Sequence, residues 1–261
     1  MRVPVVQHTT RRQRARRRRA LWTGGELLVT AGLVLLLLVV HQLWWTNREA
    51  KRGAERKVEA LEREWGGGAT GKGGESGDSG TSDPSATPRP RTGTSTRERT
   101  TTVPPQPRPS WSQAYAVLVI PRLGLRVPVA EGVSKQDVLN KGYVGHYHGT
   151  GQPGQVGNFA LAGHRNTHGE PFRYINRLRA KDLVEVETKT ATYTYAVDKT
   201  LPQTSAGDSG VVRPIPRSIV EPGHGYSEPG YYITLTTCTP EYTSRYRLVV
   251  WGRLVSMRPR A

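Results

Sequence analysis

The chain has 261 residues, of which 35% are hydrophobic, and it contains 29 glycines and 19 prolines. This apolar content is too low for a wholly packed globule, so a sizeable part of the chain must lie outside any core. The formal net charge of +17 is typical of nucleic-acid-binding proteins. Its position favours another explanation, because seven arginines stand within residues 11–19, directly before an apolar segment.

The apolar segment spans residues 21–45 and includes an unbroken aliphatic run at 33–40. A helix needs about 20 such residues to cross the hydrocarbon layer of a bilayer. The arginines of the tail, residues 1–20, and the pair Trp44 and Trp45 at the far end orient this helix with its N-terminus in the cytoplasm. We therefore predict a single-pass cell-membrane protein whose folded domain is extracytoplasmic and has no nucleic-acid partner, a cleaved signal peptide being the alternative.

Two segments separate this helix from the folded part of the chain. Residues 46–65 are rich in charged residues and alanine, and Val58, Leu61 and Trp65 stand at helical spacing. They predict a short, exposed juxtamembrane helix. Residues 66–110 are mainly Gly, Ser, Thr and Pro, a composition that cannot bury enough apolar surface to offset chain entropy. We predict a disordered stalk there.

Residues 111–258 have the pattern of a β domain, in which short runs of alternating apolar and polar residues are separated by Gly and Pro. Helical signal is confined to residues 134–140 and 171–178. The predicted strands are residues 114–120, 125–129, 158–162, 183–187, 191–197, 231–236 and 247–254. These spacings favour an all-β fold, a single barrel or closed sheet, over an α/β fold.

Cys238 is the only cysteine, and the predicted topology places it outside the membrane, where thiols commonly form disulfides. It has no partner within the chain. The predicted strand 231–236 ends just before it, so the thiol should lie beside a loop. A buried, inert thiol is the alternative. A catalytic thiol needs a cationic or basic neighbour, because only the thiolate attacks.

Two residues could supply that neighbour. Arg247 opens the strand that follows Cys238 across a short loop, so a hairpin would bring both side chains to the same end of the sheet. His164 follows the predicted strand 158–162. Arg245 is a rival to Arg247, ranked second because it lies in the loop and not on the strand.

Other histidines offer weaker candidates for a site. His146 and His148 are spaced for metal chelation, but no carboxylate or thiol pattern completes a site, and no metal or cofactor is predicted. His168 and His224 stand in Gly-containing loops, where we expect solvated side chains.

Three separated segments resemble the sortase family of cysteine transpeptidases. Residues 234–240 read Thr-Leu-Thr-Thr-Cys-Thr-Pro and residues 247–252 open with Arg. This is similar to the sortase signature, in which a strand ends in T-L-x-T-C and the next begins with the essential Arg. Residues 158–165, Asn-Phe-Ala-Leu-Ala-Gly-His-Arg, are similar to the segment that carries the sortase histidine. The likeness covers about residues 112–256.

The resemblance implies an eight-stranded sortase-type β-barrel with short helices and a two-step transpeptidation. Cys238 would attack the Thr carbonyl of an LPxTG-type or LAxTG-type sorting motif near the C-terminus of a secreted protein, giving a thioacyl enzyme. His164 would serve as acid and then as base, and Arg247 would stabilise the oxyanion. An amine of a peptidoglycan precursor would resolve the thioester. The implied partners are these two substrates and the lipid bilayer.

Gly, Pro and Arg usage, and the segment Gly-His-Tyr147, look most like class E housekeeping sortases of high-GC Gram-positive bacteria. In that class a Tyr near this place is associated with a preference for Ala over Pro at the second motif position. The resemblance thus assigns substrate binding to Tyr147, together with Thr236 and Thr237 of the signature strand.

Two alternatives to the sortase reading remain open. One is a non-catalytic, membrane-anchored binding module of the cell envelope. The other is a different Cys/His peptidoglycan transpeptidase. The L,D-transpeptidases carry a compact S/T-H-G-C run, but here Thr167-His-Gly169 is followed by Glu170.

Overall fold

The computed structural model describes residues 8–66 and 109–260, and the predicted stalk lies almost wholly outside them. Within these ranges the chain forms one long helix followed by eight strands. Their bounds are α1 His8–Gly66, β1 Ala114–Ile120, β2 Leu125–Glu131, β3 Val144–His146, β4 Gly157–Ala162, β5 Leu183–Thr188, β6 Ala191–Ser205, β7 Tyr231–Thr239 and β8 Tyr246–Pro259.

The eight strands close into a barrel with the order β1-β2-β3-β4-β7-β8-β6-β5. The pairs β2–β3 and β4–β7 are parallel, and the other six pairs are antiparallel. Closure leaves no exposed sheet edge. The eight-stranded barrel implied by the sequence is thereby confirmed.

Three features differ from the sequence-based expectation. Strand β3 was missed, because three residues around Gly145 are too few to show an alternating pattern. Strand β6 continues to Ser205 through Pro202, which sits at a register shift opposite β8, where a proline costs no ladder hydrogen bond. The predicted helical stretches shrink to the short 3-10 turns Leu139–Lys141 and Ile175–Arg177.

The barrel interior is filled by large apolar side chains from most strands. Leu118, Phe159, Tyr195 and Leu235 belong to one buried cluster and are at most 1% exposed. The hydroxyl of Tyr195 accepts a hydrogen bond from the backbone N–H of Gly154 at 2.9 Å, so this buried polar atom is satisfied.

Helix α1 is continuous, so the predicted juxtamembrane helix is the direct extension of the apolar segment. The aliphatic side chains from Leu33 to Val40 are all more than half exposed, and their length and hydropathy suit a membrane span. Residues 46–65 are helical as expected, but the expectation that this helix is exposed is wrong for one of its faces. Val58 and Leu61 are buried with residues of β1 and β2, because this face supplies the apolar cover for that side of the barrel.

The barrel core generates a first prediction. Leu118→Ala should lower the free energy of unfolding by about 3 kcal/mol, because it leaves a cavity in the packed interior. The matched change Leu183→Ala, at a side chain 43% exposed, should cost less than about 1 kcal/mol. Urea unfolding of the detergent-solubilised full chain, followed by tryptophan fluorescence, measures both. Equal losses would contradict the assigned barrel interior.

Candidate active site

The register of two parallel strands sets the relative positions of His164 and Cys238. Ala162 at the end of β4 lies opposite Thr236 of β7. His164 and Cys238 each follow two residues later in their own segments, so they reach the same level of the barrel. The backbone N–H of Gly163 donates to the carbonyl of Thr236 at 3.1 Å and continues the pairing past the end of β4.

The antiparallel pair β7–β8 adds the third residue. Cys238 and Arg247 are direct partners in this register. Arg247 lines the cleft that contains the thiol, with its Nη1 donating to the carbonyls of Ser244 at 2.9 Å and Tyr246 at 3.0 Å. The rival Arg245 is exposed and lies over the ring of Tyr246. The geometry favours Arg247 over Arg245.

His164, Cys238 and Arg247 line one cleft of about 690 Å³. Cys238 is partly exposed, so a substrate can reach its thiol. The other walls come from the loop after β4, the β7–β8 loop and helix α1. A cleft of this size accommodates several residues of an extended peptide.

Asn140 fixes the orientation of the His164 ring. Nε2 of His164 lies 2.9 Å from Oδ1 of Asn140, which can only accept, so the neutral ring carries its proton on Nε2. Nδ1 is then the basic atom. Burial, reinforced by His168 and Lys135, lowers the pKa of His164 to about 4. The imidazole is therefore neutral at pH 7.

His168 is a residue whose position the sequence did not reveal. Its ring stacks on that of His164 with 5.2 Å between centroids, and burial lowers its pKa below the ordinary value. Its Nδ1 is buried and has no hydrogen-bond partner. The expectation of a solvated side chain is wrong, because the loop folds back over the cleft. Only the spacing of four residues between the two histidines hinted at this contact.

Arg165 is a second residue that the sequence did not single out. It is 8% exposed, and its Nη1 donates to the carbonyl of Cys238 at 3.1 Å and to Oγ1 of Thr239 at 2.9 Å. The guanidinium therefore ties the segment after His164 to the end of β7. These contacts join residues more than 70 positions apart, which a local motif does not show.

The structure places Thr236 and Thr237 inside the sheet. The hydroxyl of Thr236 donates to the carbonyl of Leu161 at 3.0 Å, and that of Thr237 donates to the carbonyl of Gly163 at 2.8 Å. Both side chains are at most 3% exposed and stabilise the β4–β7 pairing. Tyr147 is partly exposed, and its hydroxyl lies 3.2 Å from Oγ1 of Thr236. Because the only proton on that oxygen goes to Leu161, Tyr147 is the donor.

Both His146 and His148 contact a carboxylate, that of Glu131, which lies too far away in the sequence for a local motif to show. Oε2 of Glu131 lies 2.7 Å from Nδ1 of His146, and Oε1 lies 3.0 Å from Nδ1 of His148. Burial raises the pKa of Glu131, but hydrogen bonds from the two histidines outweigh burial and bring the pKa below its usual value. Among the described residues, no group has the arrangement of a metal site.

The barrel topology, the three strand-end residues and the shared cleft define a class of protein. A family model described as the Sortase domain matches residues 118–255, more than half of the chain. The chain belongs to the sortase family, whose members are cysteine transpeptidases.

Its relatives include two sortases of Streptomyces coelicolor. The chain is 40% identical to Sortase SrtE1 over 226 residues, which cover 85% of this chain and 53% of SrtE1, so it spans about half the length of that relative. It is 35% identical to Sortase SrtE2 over 220 residues, covering 82% of this chain and 74% of SrtE2. These relatives confirm the resemblance to class E.

A solved structure agrees with this assignment. The crystal structure of Sortase E1 from Streptomyces coelicolor, with a tripeptide in its active site, is 50% identical in the aligned part. The match has a TM-score of 0.54 and covers 57% of this chain and 91% of that chain.

The Asn140 contact generates a second prediction. In NMR spectra of the histidine-labelled full chain in detergent, the His164 ring should remain neutral from pH 8 to pH 5 and gain its proton near pH 4. Asn140→Asp should raise this pKa, because a carboxylate beside Nε2 stabilises the imidazolium. Asn140→Ala should lower kcat/KM about tenfold by releasing the ring, an effect of roughly one hydrogen bond. A His164 pKa near 6.5 would contradict the assigned burial.

Proposed function

We propose that this chain cleaves a C-terminal sorting motif of the LPxTG or LAxTG type after its Thr and transfers the new carboxyl end to a peptidoglycan amine. The observation that carries the proposal is the convergence of Cys238, His164 and Arg247 on one accessible cleft. Membership of a family of cysteine transpeptidases supports a role in acyl transfer for each of these side chains.

In the first step, the proton of the Cys238 thiol passes to Nδ1 of His164, and the thiolate sulfur attacks the Thr carbonyl carbon. The tetrahedral oxyanion is stabilised by Arg247. Two N–H groups of Arg247 are held by backbone carbonyls, which leaves three of its five donors for substrate. When the C–N bond breaks, the His164 imidazolium gives its proton to the departing Gly amine. A thioester on Cys238 remains.

In the second step, an amine of a cell-wall precursor attacks the thioester carbonyl. Nδ1 of His164 takes a proton from that amine, the Cys238 sulfur leaves as thiolate, and the proton returns to sulfur. One amide bond has been exchanged for another, so no cofactor is required. The low pKa of His164 suits both roles, because the ring starts neutral and gives up a gained proton readily.

The proposed setting is the outer face of a cell membrane. Residues 21–45 of α1 form the membrane-spanning part, with the arginine-rich tail in the cytoplasm and the barrel outside. Secreted proteins with a sorting motif and the peptidoglycan amine then meet the enzyme on the same side of the bilayer.

The hairpin residues give a third prediction. Arg247→Lys should lower kcat/KM for a quenched sorting peptide about 100-fold, because one point charge cannot replace a fixed set of donors at the oxyanion. The matched change Arg245→Lys in the same hairpin should leave kcat/KM within about twofold, as a surface substitution does. Cys238→Ala should abolish thioacylation, measured by mass spectrometry. Turnover by Cys238→Ala would reject the proposed mechanism.

Tyr147 gives a fourth prediction. The full chain should process a LAxTG peptide faster than a LPxTG peptide, and Tyr147→Phe should reduce that ratio about fivefold, the worth of one hydrogen bond of about 1 kcal/mol. Tyr231→Phe, at a tyrosine 46% exposed, is the matched control and should leave the ratio unchanged. Competition between the two peptides, read by mass spectrometry, gives the ratio directly. A ratio unaffected by Tyr147→Phe would remove Tyr147 from motif selection.

A further inference from the structure

Helix α1 stays in contact with the barrel after the apolar segment ends. Ala50, Ala54, Val58 and Leu61 recur at intervals of four, four and three residues, which places them on one helical face. All four are at most 9% exposed. Ala60, on the opposite face, is exposed. The helix therefore has a buried seam and a solvent face, as a docked helix does.

Close backbone approach and polar contacts hold the docked segment at both ends. The backbone N–H of Gly169 donates to Oδ1 of Asn47, and at the other end Arg126 pairs with Glu62. Gly142 has a φ of 80°, and a Cβ there would lie 2.7 Å from the carbonyl of Ala50. Glycine is thus required for the helix to come this near.

Two of the segments that contact α1 are those that position His164. Gly142 follows the 3-10 turn Leu139–Lys141, which carries Asn140, the hydrogen-bond partner of His164. Gly169 lies in the loop after β4, next to His168. Four residues of α1 between Leu43 and Asn47 also line the cleft that holds Cys238. The helix is therefore one wall of the cleft as well as its support.

The far end of α1 lies where the barrel begins. Trp65 and Pro109 line the same cavity, together with Gln113 and Ala114 at the start of β1. Residues 67–108 are therefore flanked by two described ends that lie beside one cavity at the start of the barrel. Their length does not set the distance between the barrel and the apolar segment, because α1 spans that distance.

We propose that the docked anchor helix is a rigid part of the catalytic unit, one wall of its cleft, and holds the cleft at the level of the lipid headgroups. This rests on the proposed function in taking residues 21–45 as membrane-spanning. Trp44 marks the interface, and Asn47 beside the cleft follows three residues later, a rise of about 5 Å along a helix. Leu43 and Trp44, which line the cleft, thus place it at headgroup height, and its substrates are reached there.

The single cysteine permits a direct test of this height. A small bimane fluorophore on Cys238 reports the cleft in full-length protein reconstituted in phosphatidylcholine vesicles. Nitroxide carried on the lipid headgroup should quench it strongly. Ala54→Asp should abolish most of this quenching, because a buried carboxylate disrupts the docked face. The matched change Ala60→Asp on the solvent face should leave it unchanged.

A deletion of residues 71–104 completes the test and should retain full quenching, since that segment does not set the height. Should Ala54→Asp fail to fold, Ala54→Leu overpacks the same contact without adding charge, with Ala60→Leu as its control. An unquenched wild-type chain, quenching that persists in the Ala54 variants, or quenching altered by the deletion would each overturn the proposal.

A separate measurement keeps this proposal distinct from the proposed function. Cleavage of a soluble sorting peptide by the unlabelled chain reports the transpeptidase activity and needs no bilayer. Quenching without cleavage would reject the activity and uphold the docked anchor. Cleavage without quenching would do the reverse.

Discussion

The parallel pairing of β4 with β7 is the constraint on which the site depends. A slip of one residue would turn Cys238 toward the opposite face of the sheet and away from His164. Three threonine hydroxyls of β7 hold the register. Thr234 bonds to Oδ1 of Asn158 at 2.7 Å, and Thr236 and Thr237 donate to carbonyls of the β4 segment. The hydrogen bonds of the threonines in the Thr-Leu-Thr-Thr-Cys run thus fix the register of β7 on β4. This register in turn sets the position of the thiol.

Burial and the neighbouring side chains set the protonation of His164. The hydrogen-bond partner of its ring is the neutral amide of Asn140, and burial, with His168 and Lys135 nearby, favours the uncharged ring. Glu170, which also lines the cleft, is paired with Arg173 and does not offset this effect. A carboxylate partner, as in a Ser-His-Asp triad, would favour the imidazolium. This site instead keeps the imidazole of His164 neutral at pH 7.

Sequence patterns predicted the strands and the contacts between neighbouring strands. They missed the side-chain contacts that form only when distant segments fold together. The strand ends carrying Cys238 and Arg247 follow from one hairpin, so their opposition was predictable, and seven of the eight strands showed an alternating or apolar pattern. Arg165 gained its place from contacts with the end of β7, and His168 from the course of the loop after β4, which strand and helix patterns do not show. Helical spacing indicated that residues 46–65 form a helix, but burial of one face could not be predicted, because the covering surface lies on strands more than 50 residues further along.

That buried face changes how the enzyme would meet its substrates. A free coil of 42 residues, the length of 67–108, would have an end-to-end distance of about 36 Å. A cleft on such a tether would occupy a range of heights above the bilayer as large as that distance. A cleft fixed to α1 would instead be confined to a thin layer, which would raise its effective concentration toward partners held in the same membrane. The seam of small residues at Ala50 and Ala54 is what allows the helix to come close enough to the barrel to impose that confinement.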